Sequence, residues 1–141
     1  MLIETKKLLA RAASGGYAVG AFNVYNMEGA IAVTEAAEAL ESPVMLQVLP
    51  SALDIGGSTL VAACLEAARK AVVPASVHLD HCSDPAMIQS ALDAGVSSVM
   101  ADGSMHDFET NLLFTKKISD MAQKIGAGVE AELGRIAGTE D

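Results

Sequence analysis

Tryptophan is missing from this sequence, and three phenylalanines and two tyrosines are its only aromatics. A core must therefore be assembled from Ala, Val, Ile, Leu and Met, which a half-hydrophobic composition supplies. Basic residues are scarce: nine Lys and Arg stand against eighteen Asp and Glu, a net charge of −9. That balance argues against attachment to nucleic acid or to an anionic membrane surface, both of which need a basic face. An anionic substrate stays compatible, because backbone N–H groups and helix N-termini bind anions without basic side chains. No stretch approaches the roughly 18 uninterrupted apolar residues of a membrane span. The N-terminus, with Glu4, Lys6 and Lys7, shows no secretory leader.

Only two cysteines occur. Cys64 falls in an apolar helical pattern and reads as a small buried hydrophobe. Cys82 adjoins His81 and reads as reduced and structural, the alternative being a thiolate or metal ligand. Neither a G-x-x-x-x-G-K-[ST] loop nor a G-x-S-x-G elbow is present, and Ser51 and Ser58 have no evident base. The run Gly126 to Ala131 matches G-x-G-x-x-A, but it precedes a strand, so a pyrophosphate there would meet no helix N-terminus. The expectation is one cytoplasmic domain spanning residues 1–141.

Apolar runs and helical patterns alternate along the chain. Helices are predicted over Thr5 to Ala13, Met27 to about Glu41, from Gly56-Gly57-Ser58 through Ala68, from Pro85 to Gly95, and from Asp107 to about Ile125. On the last, Leu112, Leu113, Met121 and Ala122 are expected inward. Strands are predicted at Val19–Val24, which reads as buried, at Val44–Val48, Ala75–Asp80, Val96–Ala101 and Val129–Leu133. The strands are mostly apolar with little polar alternation, the pattern of a parallel α/β sheet covered on its faces. An open doubly wound sheet and the first part of a (β/α)₈ TIM barrel both fit, and a full barrel needs roughly 250 residues. The barrel is favoured because Asn23, Asp80, Asp102 and Glu132 fall at or near the carboxyl ends of four different strands. An open sheet gathers its chemistry at one switch point instead.

The stretch Val77-His78-Leu79-Asp80-His81 is the centre of that arrangement. Strand alternation puts His78 and Asp80 on one face, and His81 is expected just past the strand, where its ring can swing to the same cleft. Ser83 or Asp84 caps the next helix, with Pro85 at its first position. A carboxylate beside an imidazole suits a proton-transfer group next to a metal ligand, though polar strand ends also serve merely as caps. Imidazole and carboxylate together hold a divalent cation, a Lewis acid for a carbonyl. His78, mid-strand, reads as a hydrogen-bonded interior residue, and His106 as solvent-facing or substrate-adjacent. Asp102-Gly103-Ser104 is also ordinary turn chemistry. Glu130 and Glu132 share one strand face, a costly pairing that calls for a positive charge in the cleft, with Arg135 as the simplest partner.

Taken together, Gly20-Ala21-Phe22-Asn23, Val77 to His81, Asp102-Gly103-Ser104, and Val129 to Arg135 through Glu140-Asp141 resemble the class II, metal-dependent ketose-bisphosphate aldolases. The fructose- and tagatose-bisphosphate aldolases belong to that family. The resemblance covers the whole chain and implies a TIM barrel that reversibly cleaves a ketose phosphate, using zinc instead of a Schiff-base lysine. By position it implies His81 as a zinc ligand and Asp80 as the acid/base at the aldehyde-derived oxygen. Asp102 and Glu132 match carboxylates near the metal, where the family has a second cation site or alternative metal positions. Glu140 matches a loop glutamate that transfers a proton at the nucleophilic carbon, and Asn23 an amide that contacts substrate. The family places its other zinc histidines and its glycine-rich phosphate loop beyond residue 141. Leu49 stands where many members carry a small hydroxyl residue, and Cys82 where Gly or Ala is common.

The expectation is therefore the N-terminal portion of such a barrel, about five of its eight βα units, inactive by itself. Its setting is glycolysis or related cytoplasmic carbohydrate metabolism, as a homo-oligomer, dimer or tetramer. The rival reading is an aldolase-derived module that acts by association through unpaired strand edges. A flavodoxin-like binding domain is the third option, disfavoured by the missing phosphate loop.

Overall fold

The computed structural model describes residues 1–134. Five strands, β1 (Gly20–Asn23), β2 (Val44–Val48), β3 (Ala75–Cys82), β4 (Ser98–Ala101) and β5 (Gly128–Ala131), alternate with helices. The helices are α1 (Thr5–Gly15), α2 (Met27–Ala39), α3 (Pro50–Lys70), α4 (Pro85–Ala94) and α5 (Phe108–Gln123). Every strand pairing is parallel, and the order across the sheet is β1-β2-β3-β4-β5, the order of the sequence. Among the described residues there is no reversal, hence no switch point, which disagrees with the doubly wound and flavodoxin-like alternatives. Right-handed crossovers that all step the same way put their helices on one face of the sheet. This is an α/β fold comprising about the first five units of a (β/α)₈ barrel.

Side-chain alternation divides the sheet into two faces. Val44, Leu46, Val48, Ala75, Val77, Leu79, Val99 and Ala101 enter one apolar core with residues of α2, α3, α4 and α5. The opposite, concave face carries Met45, Gln47, Ser76, His78, Asp80, Ser98 and Glu130 instead. Helix α1 lies against that face at the amino ends of the strands. Its Thr5 hydroxyl accepts a 2.8 Å hydrogen bond from Ser98 on β4.

Local signals set the helix ends. Asp84 caps α4 by accepting from the Ala86 N–H at 2.8 Å, Pro85 opens the helix, and Gly95 closes it in the left-handed region at φ 105°. Asn26 and Asp107 cap α2 and α5 in the same way. The third helix departs from expectation. It begins at Pro50 rather than Gly56, because Pro50 suits a first helical position, and Gly57 interrupts it with φ 53° and ψ −152°.

Two burial expectations are corrected. Strand β1 is exposed along its length, with Phe22 52% accessible, because it is a sheet edge whose outer side meets no strand among the described residues. On α5 the buried stripe is Asn111, Ile118 and Ala122, while Leu112 and Leu113 fall off that stripe and are exposed. No helix among the described residues is long and apolar enough to cross a membrane.

Candidate active site

Strand β3 continues through Cys82, so His81 lies within the strand and not beyond it. The ladder pairs Leu79 with Val99 and Cys82 with Ala101. Two residues, Asp80 and His81, therefore oppose the single residue Met100, which is a β-bulge. Leu79 and Cys82 both reach the helix-side core. The extra residue lets Asp80 and His81 both face the concave side, which regular alternation forbids. His81 takes φ 36°, a left-handed conformation costly for a residue with a Cβ.

The bulge delivers the imidazole to two carboxylates from neighbouring strand ends. His81 Nδ1 lies 3.0 Å from Asp102 Oδ2 and 3.8 Å from Glu132 Oε2. Asp102 is held in turn by Ser104, whose hydroxyl and backbone N–H donate to Oδ1 at 2.6 and 3.0 Å. Burial pushes the Asp102 carboxyl upward, but the hydrogen bonds from Ser104 and His81 outweigh it and leave the group below its ordinary range. One nitrogen and two carboxylate oxygens lie within 4.8 Å of one another, all partly buried. That donor set suits zinc or a similar divalent cation, whose bonds to such ligands run to about 2 Å. Among the described residues it is the one His/Cys/Asp/Glu group with such spacing.

Asp80 stands one step away, 9% exposed, and accepts a 3.1 Å hydrogen bond at Oδ1 from the Gln47 amide on β2. Gln47 was not singled out in the sequence. Its one signal was position, a polar residue alternating with the buried Leu46 and Val48. Asn111 was missed too. From the buried stripe of α5 its amide donates to the Glu132 backbone carbonyl at 2.7 Å, fixing the chain where β5 ends. It packs so closely on Gly103 that a Cβ there would overlap Asn111 Oδ1.

Below this tier lies His78, 1% exposed, with Nδ1 2.7 Å from Ser98 Oγ. Since the Ser98 hydroxyl donates to Thr5, it accepts from His78 Nδ1–H, which leaves Nε2 bare. Burial, helped by the nearby His81, pushes this imidazole down to about 4, so it is neutral at pH 7. Its 3.6 Å approach to the Glu130 carboxylate is therefore not an ion pair. His78 is the hydrogen-bonded interior residue expected of it.

The remaining expected residues separate. Glu132 lies just past β5 rather than within it, and Glu130 points to His78 and not to His81. Asn23 is exposed on β1, level with Gln47 on the same face and two strands from His81. That is about 10 Å across the sheet. His106 is exposed in the loop before α5. Cys82 is buried with its thiol pushed upward by burial, the condition of an inert structural cysteine. Glu140 and Arg135 lie outside the described residues.

Fold and site define a sector of a (β/α) barrel with an imidazole and two carboxylates grouped at its strand ends. The family model for class II fructose-bisphosphate aldolase matches residues 3–141, and the chain belongs to that family. It is 45% identical over 141 residues to a fructose-bisphosphate aldolase of Thermus caldophilus, covering 100% of this chain and 46% of that protein. It is 40% identical to the D-tagatose-1,6-bisphosphate aldolase subunit GatY of Klebsiella oxytoca, covering 99% of this chain and 50% of the relative. A crystal structure of a candidate fructose-1,6-bisphosphate aldolase from Coccidioides immitis superposes with TM-score 0.92 at 38% identity. That match covers 97% of this chain and 48% of the other. The chain spans about half the length of the curated relatives it matches.

Proposed function

We propose that this chain carries the catalytic strand ends of a metal-dependent aldehyde-lyase that reversibly cleaves a ketose phosphate. The observation that carries the reading is the bulge at Asp80-His81. It aims a carboxylate and an imidazole into one cleft, the imidazole within reach of Asp102 and Glu132. His81, Asp102 and Glu132 would hold Zn²⁺, with the two carboxylates also able to take a second cation. When bound, the cation supplies Lewis-acid polarisation of the substrate carbonyl. Asp80, held apart from the cation ligands by its bond to Gln47, takes the proton of the hydroxyl at C4 as the C3–C4 bond breaks. The electron pair passes to C3, conjugated with the C2 carbonyl, and the aldehyde leaves. Glu140 returns a proton to C3, and Asn23 contacts the substrate. Ketose bisphosphates are the substrate class, since the two relatives are named for fructose- and tagatose-bisphosphate. Sugar breakdown in the cytoplasm, glycolysis included, is the setting.

Activity calls for the rest of a barrel, and the isolated chain is expected to be inactive. The test assays fructose and tagatose 1,6-bisphosphate cleavage by the zinc-loaded chain. The same assay is run on the chain fused to the second half of the Thermus caldophilus relative. Cleavage by the fusion, abolished in Asp80→Ala with zinc still bound, is the expected result. No cleavage by either protein sinks the reading, and full turnover in Asp80→Ala sinks the role of Asp80.

A second reading rests on the exposed β1 edge, where Phe22 and Leu40 lie bare beside α2. On it the chain is an association module that forms dimers or tetramers without lyase activity. Sedimentation combined with metal analysis separates the two, a metal-free oligomer favouring association.

A further inference from the structure

We infer that Gln47 is the positioning residue for Asp80, an inference that rests on the aldolase reading above. In the parallel ladder Gln47 sits beside His78, not beside Asp80. His78 Nδ1 is committed to Ser98 on the far side, 2.7 Å away. The Gln47 side chain instead runs one residue pair towards the carboxyl end of the sheet, where its amide nitrogen meets Asp80 Oδ1 at 3.1 Å. A carboxylate only accepts, so the NH₂ end of the amide must face it and the carbonyl end must face away. Asp80 is 9% exposed, and a carboxylate withdrawn from water to that degree needs donors.

The geometry gives Gln47 a specific task. Asp80 sits in a bulge, where the backbone no longer dictates the side-chain direction as a regular strand does. A directional bond from the next strand fixes the carboxylate plane. It also keeps Asp80 out of the adjoining His81, Asp102 and Glu132 group, so that one carboxylate handles protons while the others hold a cation. Gln47 touches no reacting atom in this account. It acts through Asp80, on the C–C cleavage step alone, and not on proton exchange at C3, which uses a different group.

The test has two arms. In the 141-residue chain, the Gln47 side-chain amide resonances should carry a hydrogen-bonded proton shift that disappears in Asp80→Ala. Averaged, solvent-like resonances in the unsubstituted chain would overturn the inference whatever the activity. In whichever protein cleaves sugar bisphosphate, chain or fusion, Gln47→Met keeps the volume and removes the donor. Cleavage kcat should fall ten- to a hundred-fold, with KM within about three-fold. Solvent-proton exchange into dihydroxyacetone phosphate should persist at its original rate, and Gln47→Glu should lose cleavage in the same way. A Gln47→Met protein that cleaves normally, or that loses exchange and cleavage together, overturns the positioning role and leaves the aldolase reading intact. Failure of both unsubstituted proteins to cleave overturns both.

Discussion

Asp80 and His81, adjacent in sequence, face the same side of β3 because together they oppose Met100 alone. The ladder closes again at Cys82 and Ala101. One inserted residue converts an alternating strand into a platform for two functional groups, at the cost of a left-handed backbone at His81.

That cost yields the first prediction. At φ 36° a Cβ is strained, and glycine is not. His81→Ala and His81→Gly both remove the imidazole and should weaken zinc binding, measured by competition with a chromophoric chelator. They should differ in stability, with His81→Gly about 1 kcal/mol more resistant to urea than His81→Ala. A more stable alanine variant would mean that the bulge is not strained.

The second prediction concerns Ser104. Its hydroxyl, 2.6 Å from Asp102 Oδ1, orients a proposed ligand without being one. Removing such a support typically lowers metal affinity ten- to a hundred-fold. Ser104→Ala should therefore weaken zinc binding by about ten-fold, because the backbone N–H of residue 104 still donates to the same oxygen. Unchanged affinity would separate Asp102 from the metal.

A third follows from the contact between Gly103 and Asn111. A Cβ at residue 103 would overlap the Asn111 side-chain amide and come within a tight 3.3 Å of its Cα, so the amide must move. Gly103→Ala should cost about 1–3 kcal/mol in urea unfolding. It should also push the Asn111 amide off the Glu132 carbonyl, now 2.7 Å away. Asn111→Ala in the Gly103→Ala background should recover part of the stability but not the zinc affinity, since Glu132 stays untethered. Full recovery of both would refute the link.

What could be read from the sequence was whatever short-range chemistry decides. Asp84-Pro85 and Gly95 announce a helix from within a few residues, and the apolar runs announce a covered parallel sheet. The strand-end placement of Asn23, Asp80, Asp102 and Glu132 pointed to a barrel, and the strand order agrees. The bulge could not be read, because an extra residue changes neither composition nor hydropathy and shows only against the partner strand. The bareness of β1 could not be read for a related reason: an apolar run says what can be buried, not whether anything covers it. Gln47 and Asn111 escaped notice because their partners lie 33 and 21 residues away. Asn111 did leave a trace, as a polar residue on a stripe otherwise continued by Ile118 and Ala122.

The last prediction uses His78, whose proton equilibrium is set by its place beneath the site. Burial depresses its pKa from 6.5 to about 4, with His81 adding to the effect. The Glu130 carboxylate 3.6 Å from Nε2 pulls the other way, but that side chain is 66% exposed and solvent screens it. Between those two values the unfolded chain binds a proton that the folded one does not, so stability falls as pH falls. The loss should begin near pH 6.5, be complete near pH 4, and amount to roughly 3 kcal/mol over that span. Asp102 contributes in a separate, lower window. Its carboxyl is held below 3.8, so the stability it supplies is present above that value and disappears on further acidification. Urea unfolding at half-unit steps from pH 7 to pH 4 reads the first window before the second opens. His78→Gln should flatten the slope there, even though the variant is less stable at pH 7 for want of the imidazole's packing. An equally steep decline in the variant would assign the titration to another group and remove His78 as the acid-sensitive point of the fold.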